Sequence, residues 1–267
     1  MRNYGWYIHS ASSSGVETPA AIGEKYLRTL DALSWIDPAL SGWTIWENGS
    51  TLDELLAWAE NGSPEPAPIR PFSVEQARQN MTALVETNVF RDDWGEPQPD
   101  EGYSLVANNQ FNQTPRNVSL TVKAGSEFDY NSWNLSAGDM WPNPPDPSII
   151  TYPILGGAFR VMASIWPTPW AKLSGSTVEY EERPGVVGTT RVETFRHDIT
   201  WMGYLSAKCA PGFEPPADLI SERTADGGLL LISAEERPDP ANADQMRRSD
   251  LLGAIMHKYY PNTRSRI

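Results

Sequence analysis

Apolar residues near the start of the chain recur with a helical period. Four of them are three or four positions apart and so share one helix face: Ile22, Tyr26, Leu30 and Leu33. Thr18-Pro19 supplies an N-cap and a first-turn proline. Asp37-Pro38 predicts the end of this helix, because the residue before a proline avoids the α region.

Further helices are predicted from capping signals and periodicity. Thr51-x-x-Glu54 is a capping box that opens LDELLAWAE, and Ser73-x-x-Gln76 opens a helix over about 74–87. The apolar segment 148–166 is interpreted as a helix. A buried strand is its alternative, since Pro153 and Gly156-Gly157 interrupt it. ANADQMRRSDLLGAIMHKYY predicts a last helix.

Several short segments have the alternation or β-branched and aromatic content typical of strands. They are YGWYIH (4–9), the stretch around Trp43–Trp46, YSLVAN, NVSLTVKAG, SWNLSAG, AKLSG, RVETF, ITWMGYLSA and GLLLISA, the last after an Asp226-Gly227 turn. The pattern predicts an α+β protein with a mainly antiparallel sheet and several flanking helices. We expect a single domain over 1–267. A subdivision near 139–147 (DMWPNPPDP) is the alternative, with two similar halves suggested by helices ending near Trp35 and Trp166.

The net charge of −13 changes the functional picture because it is unevenly distributed. Residues 1–159 contain 20 acids and 8 bases, whereas residues 160–267 contain 14 acids and 13 bases. Direct nucleic-acid binding is disfavoured, since affinity for phosphate comes largely from Lys and Arg. The acidic surface is either a solvated face or one complementary to a basic partner. The single cysteine, and the lack of a signal peptide or an apolar span, predict a cytoplasmic protein without membrane association.

Motifs for catalysis are lacking in the sequence. There is no phosphate-binding glycine loop and no nucleophile elbow, and His9, His197 and His257 are too far apart to suggest a metal site. A Cys209–His197 nucleophile pair is less plausible than a structural Cys209. We therefore expect no enzymatic activity, no cofactor and no metal.

The tryptophans divide by context. Trp58 lies in a predicted helix and Trp201 in a predicted strand, so both are expected in the core. Trp94 and Trp141 lie in loops among acids and prolines, where each is either a plug for the sheet edge or an anchor for a partner. A Trp-rich acidic surface that binds a glycan or another small molecule is the alternative function.

Several segments resemble the immunity protein 52 family of bacterial polymorphic toxin systems. They are LDALSWIDPALSGW, RDDWGE, GYSLVANN, RHDITWMGYLS and DGGLLLISAEERPDPAN, which follow one another across most of the chain. The resemblance places Trp35 at the end of the first helix as a framework residue, which we assign to the core. Trp43 and Trp46 are left undecided.

The resemblance implies a cytoplasmic antidote. Such proteins bind a cognate nuclease toxin of restriction-endonuclease-like fold, often a type VI secretion effector, and suppress it. It supplies no catalytic residues. Because an acidic loop around an aromatic residue suits a basic partner, the predicted toxin-binding residues are those of the 91–101 loop and one further tryptophan: Asp92, Asp93, Trp94, Glu96, Asp100, Glu101 and Trp141.

Overall fold

A computed structural model describes residues 2–10, 15–47, 61, 70–109, 116–128, 131–137, 145–184 and 189–259. The predicted helix over 52–60, with Trp58, and the loop tryptophan Trp141 lie outside these residues. No helix within the described ranges is long and apolar enough to cross a membrane.

Ten strands form one antiparallel sheet in the described part of the chain. They are β1 (Arg2–Ser10), β2 (Thr44–Glu47), β3 (Arg70–Ser73), β4 (Tyr103–Asn108), β5 (Val118–Ala124), β6 (Ser132–Ala137), β7 (Trp170–Pro184), β8 (Thr189–Leu205), β9 (Ile220–Arg223) and β10 (Leu229–Ile232). Their order in the sheet is β3-β2-β4-β5-β6-β1-β7-β8-β10-β9. β1 is therefore a central strand, with Trp6 opposite both Ala137 of β6 and Gly175 of β7.

Four α-helices accompany this sheet in the same ranges. They are α1 (Pro19–Ile36), α2 (Val74–Thr87), α3 (Gly157–Ile165) and α4 (Ala243–Tyr259), and a π-helical turn, Tyr152–Gly156, leads into α3. The α+β class with a mainly antiparallel sheet is confirmed. The apolar segment 148–166 is helical in its central part, and the strand alternative was wrong.

Local capping fixes the helix bounds as the sequence predicts. The Thr18 hydroxyl accepts a hydrogen bond from the N–H of Ala21 at 3.3 Å, and Asp37 is extended and ends α1. At α2 the capping box is complete: the N–H of Gln76 donates to Ser73 Oγ at 3.2 Å, and the Gln76 side chain accepts from the N–H of Ser73 at 2.9 Å. Each cap satisfies backbone groups that the first helical turn leaves unpaired.

Helices cover the two faces of the sheet differently. Helices α1, α2 and α3 contribute buried residues to the larger core cluster, which also contains Leu230 and Ile232 of β10. Helix α4 packs through Leu252 and Met256 on a second cluster with Leu229 and Leu231. Alternate residues of β10 thus face opposite layers, which explains why a continuous apolar run forms this strand.

One expectation about the strands needs correction. RVETF and ITWMGYLSA were interpreted as separate strands but belong to the single strand β8, which pairs with β7 over its whole length. That long hairpin is irregular between Leu173 and Ser174 and between Glu179 and Tyr180, so the alternation in its sequence is interrupted. β9 was not predicted, because all four of its residues are exposed and carry no apolar alternation.

The assignment of Trp35 to the core was wrong: its side chain is 89% exposed. The buried face of α1 runs through Tyr26, Leu30 and Leu33, and its next member is Ile36, which packs against the core. Trp35 is two residues beyond Leu33, about 200° around a helix with 3.6 residues per turn, so it points to solvent. Trp43 is buried and Trp46 is half-buried, whereas Trp201 is fully buried as expected.

Candidate functional site

The acidic loop, residues 91–101, joins the end of α2 to β4 and is closed at its base by backbone hydrogen bonds. The N–H of Phe90 donates to the carbonyl of Gly102 at 2.9 Å, and the N–H of Gln98 donates to the carbonyl of Phe90 at 2.7 Å. An isolated bridge pairs Arg91 with Pro97. These contacts give the loop a defined hairpin-like shape before any partner is present.

Asp92 organises the tip of the loop. Its Oδ1 accepts hydrogen bonds from the N–H of Trp94 at 2.9 Å and from the N–H of Glu96 at 2.8 Å. The N–H of Gly95 donates to the Asp92 carbonyl at 3.0 Å, and Gly95 has φ +86°, a left-handed conformation that favours glycine. The sequence Asp-x-Trp-Gly is therefore an Asx turn that holds Trp94 at its apex.

Trp94 projects from this turn with 85% of its surface exposed. The plug interpretation of Trp94 is therefore wrong. Asp93, Glu96 and Asp100 are also exposed, whereas Asp92 and Glu101 are half-buried. The predicted residues of the loop thus divide into an exposed set around Trp94 and a set that faces the fold.

The basic side chains beside the acidic loop contact either the loop itself or Phe90, the residue just before it. Arg91 Nη1 donates to the carbonyl of Gly95 at 2.8 Å, which ties the guanidinium beneath the turn. Lys123 Nζ lies 5.3 Å from the centre of the Phe90 ring. The exposed residues of the loop include acids, an indole and prolines but no base, so the local field attracts cations.

A second loop continues the exposed surface. The N–H of Glu127 donates to the carbonyl of Asp100 at 2.9 Å, and the next residue, Phe128, is 49% exposed. We call the exposed residues of both loops the Trp94 surface: Asp93, Trp94, Glu96, Asp100, Glu127 and Phe128. Sequence reasoning missed Glu127 and Phe128, because only the fold brings them beside residue 100.

The other tryptophans do not extend this surface. Most of those described are buried: Trp6, Trp43, Trp133, Trp166, Trp170 and Trp201. Trp35 is exposed, but it lies near the C-terminal end of α1, whereas the Trp94 surface adjoins the N-terminal end through a bond from the N–H of Gly15 to the carbonyl of Ser126. The tryptophans that expose most of their surface in the described chain are thus Trp35 and Trp94, at separate positions in the fold.

Candidate catalytic groups are far apart or already paired. His197 Nε2 is 3.0 Å from Asp250 Oδ1. Cys209 follows the end of β8 and is half-buried against the second core cluster, on which α4 packs. His9 is partly buried beside Trp170, and this burial, with the charge of nearby Lys172, lowers its pKa to about 4. Among the described residues no group of three or more His, Cys, Asp or Glu side chains could hold a metal ion.

No family model matches the chain, and no curated protein matches it. The geometry of the Trp94 surface and the charge of the chain are accordingly the basis for a functional proposal.

Proposed function

We propose that this protein is a cytoplasmic immunity protein that binds and neutralises a basic nuclease toxin through the Trp94 surface. The observation that carries the proposal is Trp94, an exposed indole held at the apex of a hydrogen-bonded acidic turn. An exposed tryptophan ringed by polar groups has the composition of an interface hot spot. Because the turn is already ordered, binding loses less conformational entropy than it would with a free loop.

Charge supports a basic partner. The net charge is −13, and the segment 1–159, which contains the whole Trp94 surface, has 20 acids against 8 bases. A nuclease carries a positive surface for its phosphate substrate, and an acidic inhibitor is attracted by the same field. The protein itself then needs no catalytic centre, no cofactor and no nucleic-acid contact.

The resemblance of the sequence to the immunity protein 52 family indicates which class of toxin the partner belongs to. It implies a toxin of restriction-endonuclease-like fold, delivered between bacteria by type VI secretion. Binding suppresses the toxin either by covering its active site or by blocking its assembly, and both routes use the same contacts.

The test is isothermal titration of the purified protein against the toxin domain encoded by the neighbouring gene. We expect a tight complex and inhibition of nuclease activity at equal molar amounts. The association rate, measured by stopped flow, should fall as salt rises, because exposed charges are screened over about 8 Å at physiological ionic strength. Absence of binding to that toxin contradicts the proposal. An association rate independent of salt contradicts the charge argument alone.

A panel of ester, glycoside and nucleic-acid substrates is the second arm. We expect no turnover by the protein itself. Turnover that disappears when one polar side chain is substituted would replace the immunity proposal with an enzymatic one.

A further inference from the structure

A cleft of about 1030 Å³ lies between α3 and the β9–β10 hairpin, at the end of the sheet formed by β9. It is separated from β4, where the acidic loop ends, by six steps along the strand order. Apolar side chains form much of its wall: Phe159, Ala163, Pro167, Pro169, Ala225 and Leu230. Its volume is at the upper end of the range for small-molecule sites.

The two acids in the lining are held by neighbouring groups. Glu222 accepts from Arg160 Nη2 at 2.7 Å and from the hydroxyl of Tyr152 at 3.3 Å. Asp226 accepts from the hydroxyl of Tyr204, from Thr224 Oγ1 at 2.5 Å and from the N–H of Gly228 at 3.3 Å. Both carboxylates therefore already accept hydrogen bonds from neighbouring protein groups.

Two cations in the same lining are differently placed. Lys208 and Arg223 are exposed, and within the described residues neither forms a salt bridge. Arg223 donates only a long hydrogen bond, 3.4 Å, to the carbonyl of Gly227. With Arg160, the lining holds three cations and two anions, a positive balance in a chain of charge −13.

We infer that this cleft binds a small organic anion, with a carboxylate held by Lys208 and Arg223 and an apolar body against α3. The two cations supply charge-assisted hydrogen bonds to the carboxylate, and burial of the apolar part against Ala163 and Pro167, which are accessible in the lining, adds the hydrophobic contribution. An amine of the same length would meet the cations as like charges. This inference is independent of the proposed toxin binding.

The test is isothermal titration of decanoate into the full chain, with decylamine and inorganic phosphate as comparison probes. We expect decanoate to bind, and the other two to bind at least tenfold more weakly. The double variant Lys208→Glu/Arg223→Glu should weaken decanoate binding at least tenfold. Arg237→Glu, which makes the same charge change at an exposed position outside the lining, should bind as the native chain does.

A variant that fills the cleft separates the site from general charge effects. Ser164 is exposed on α3 and lines the cleft, so Ser164→Trp should occlude it without disturbing the core. Loss of decanoate binding in this variant, with unchanged circular dichroism, supports the assignment. Equal binding of decanoate and decylamine, or decanoate binding retained in both the charge-reversed and the filled variants, overturns it.

Discussion

The Asp92 carboxylate accepts a hydrogen bond from the backbone N–H of Trp94, two positions later. This bond fixes the position of the Trp94 backbone at the apex of the turn. The same carboxylate also accepts from Glu96 and, at 3.3 Å, from Gln98 Nε2. Asp92 therefore acts on the geometry of the Trp94 surface, whereas Asp93 and Glu96 present charge to solvent.

Two substitutions at Asp92 separate geometry from charge. Asp92→Asn keeps an acceptor oxygen, and we expect toxin affinity within about threefold of the native value. Asp92→Ala removes the acceptor and leaves two N–H groups of the turn without it, so we expect unfolding free energy to fall by about 1 kcal/mol and affinity to fall further than in Asp92→Asn. Urea unfolding and titration on both variants measure the two effects. Equal affinity loss in both would assign Asp92 a direct electrostatic role.

Trp94→Ala tests the anchor directly. Because the indole is exposed, truncation should change the free energy of unfolding by less than about 0.5 kcal/mol. Toxin affinity should fall by about 2 kcal/mol or more, as at an interface hot spot. Trp35→Ala is the matched control. It removes a similarly exposed indole near the C-terminal end of α1, away from the Trp94 surface. Intact affinity in Trp94→Ala, or an equal loss in Trp35→Ala, rejects the Trp94 surface as the interface.

His9 should make stability depend on pH. Its pKa is lowered to about 4 in the folded protein, first by burial and then by Lys172, while the unfolded chain has the ordinary value of 6.5. Between these values only the unfolded state takes up the proton, so the free energy of unfolding is undiminished above pH 6.5 and decreases as pH falls towards about 4. The total decrease from this residue is up to about 3 kcal/mol.

Urea unfolding at about pH 7 and about pH 5 measures this effect. In His9→Phe, which keeps an aromatic ring beside Trp170, the decrease over that window should be smaller than in the native protein. His9→Gln provides a second variant without a titrating ring. An unchanged pH dependence in both would show that other groups cause it.

A buried hydrogen bond ties α1 to the end of α3, where Trp166 Nε1 donates to Thr29 Oγ1 at 2.9 Å. Thr29→Val keeps the shape and removes the acceptor, so the indole N–H is left buried without it. We expect the free energy of unfolding to fall by about 1–3 kcal/mol. Thr29→Ser keeps the hydroxyl and should lose less. A larger loss in Thr29→Ser than in Thr29→Val, measured by urea unfolding, would mean that packing of the methyl group dominates.

Local signals in the sequence predicted much of the secondary structure. The ends of α1 and the start of α2 depend on residues a few positions apart, such as Thr18 with Ala21 and Ser73 with Gln76, and both were correct. Trp35 was misplaced because its framework position in the family resemblance was weighted above the helical period that Leu33 and Ile36 define. β9 was missed because its residues are exposed, and in the described chain this edge strand pairs only with β10.

The two proposed functional surfaces were harder to predict from the sequence than the secondary structure. The acidic loop and Trp94 stood out because acids, prolines and an indole adjoin one another in the chain. Glu127 reaches that surface only through a bond to Asp100. The cleft is assembled from α3, the end of β8 and the β9–β10 hairpin, and Arg160 and Glu222 meet there although they are distant in sequence. Such juxtapositions are set by tertiary packing, which no local pattern records.

The central position of β1 has a consequence for how the chain reaches its native state. Its partner strands lie about 130 and 170 residues later in the sequence, so β1 emerges from the ribosome long before either neighbour exists. Until then, Trp6 and Ile8 have no sheet to join, and the strand is open to wrong pairings between chains. Contacts of such long range must overcome a large loop-closure entropy, which slows folding. Synthesis of β7, rather than of β1, is then the step after which β1 can pair with both of its neighbours.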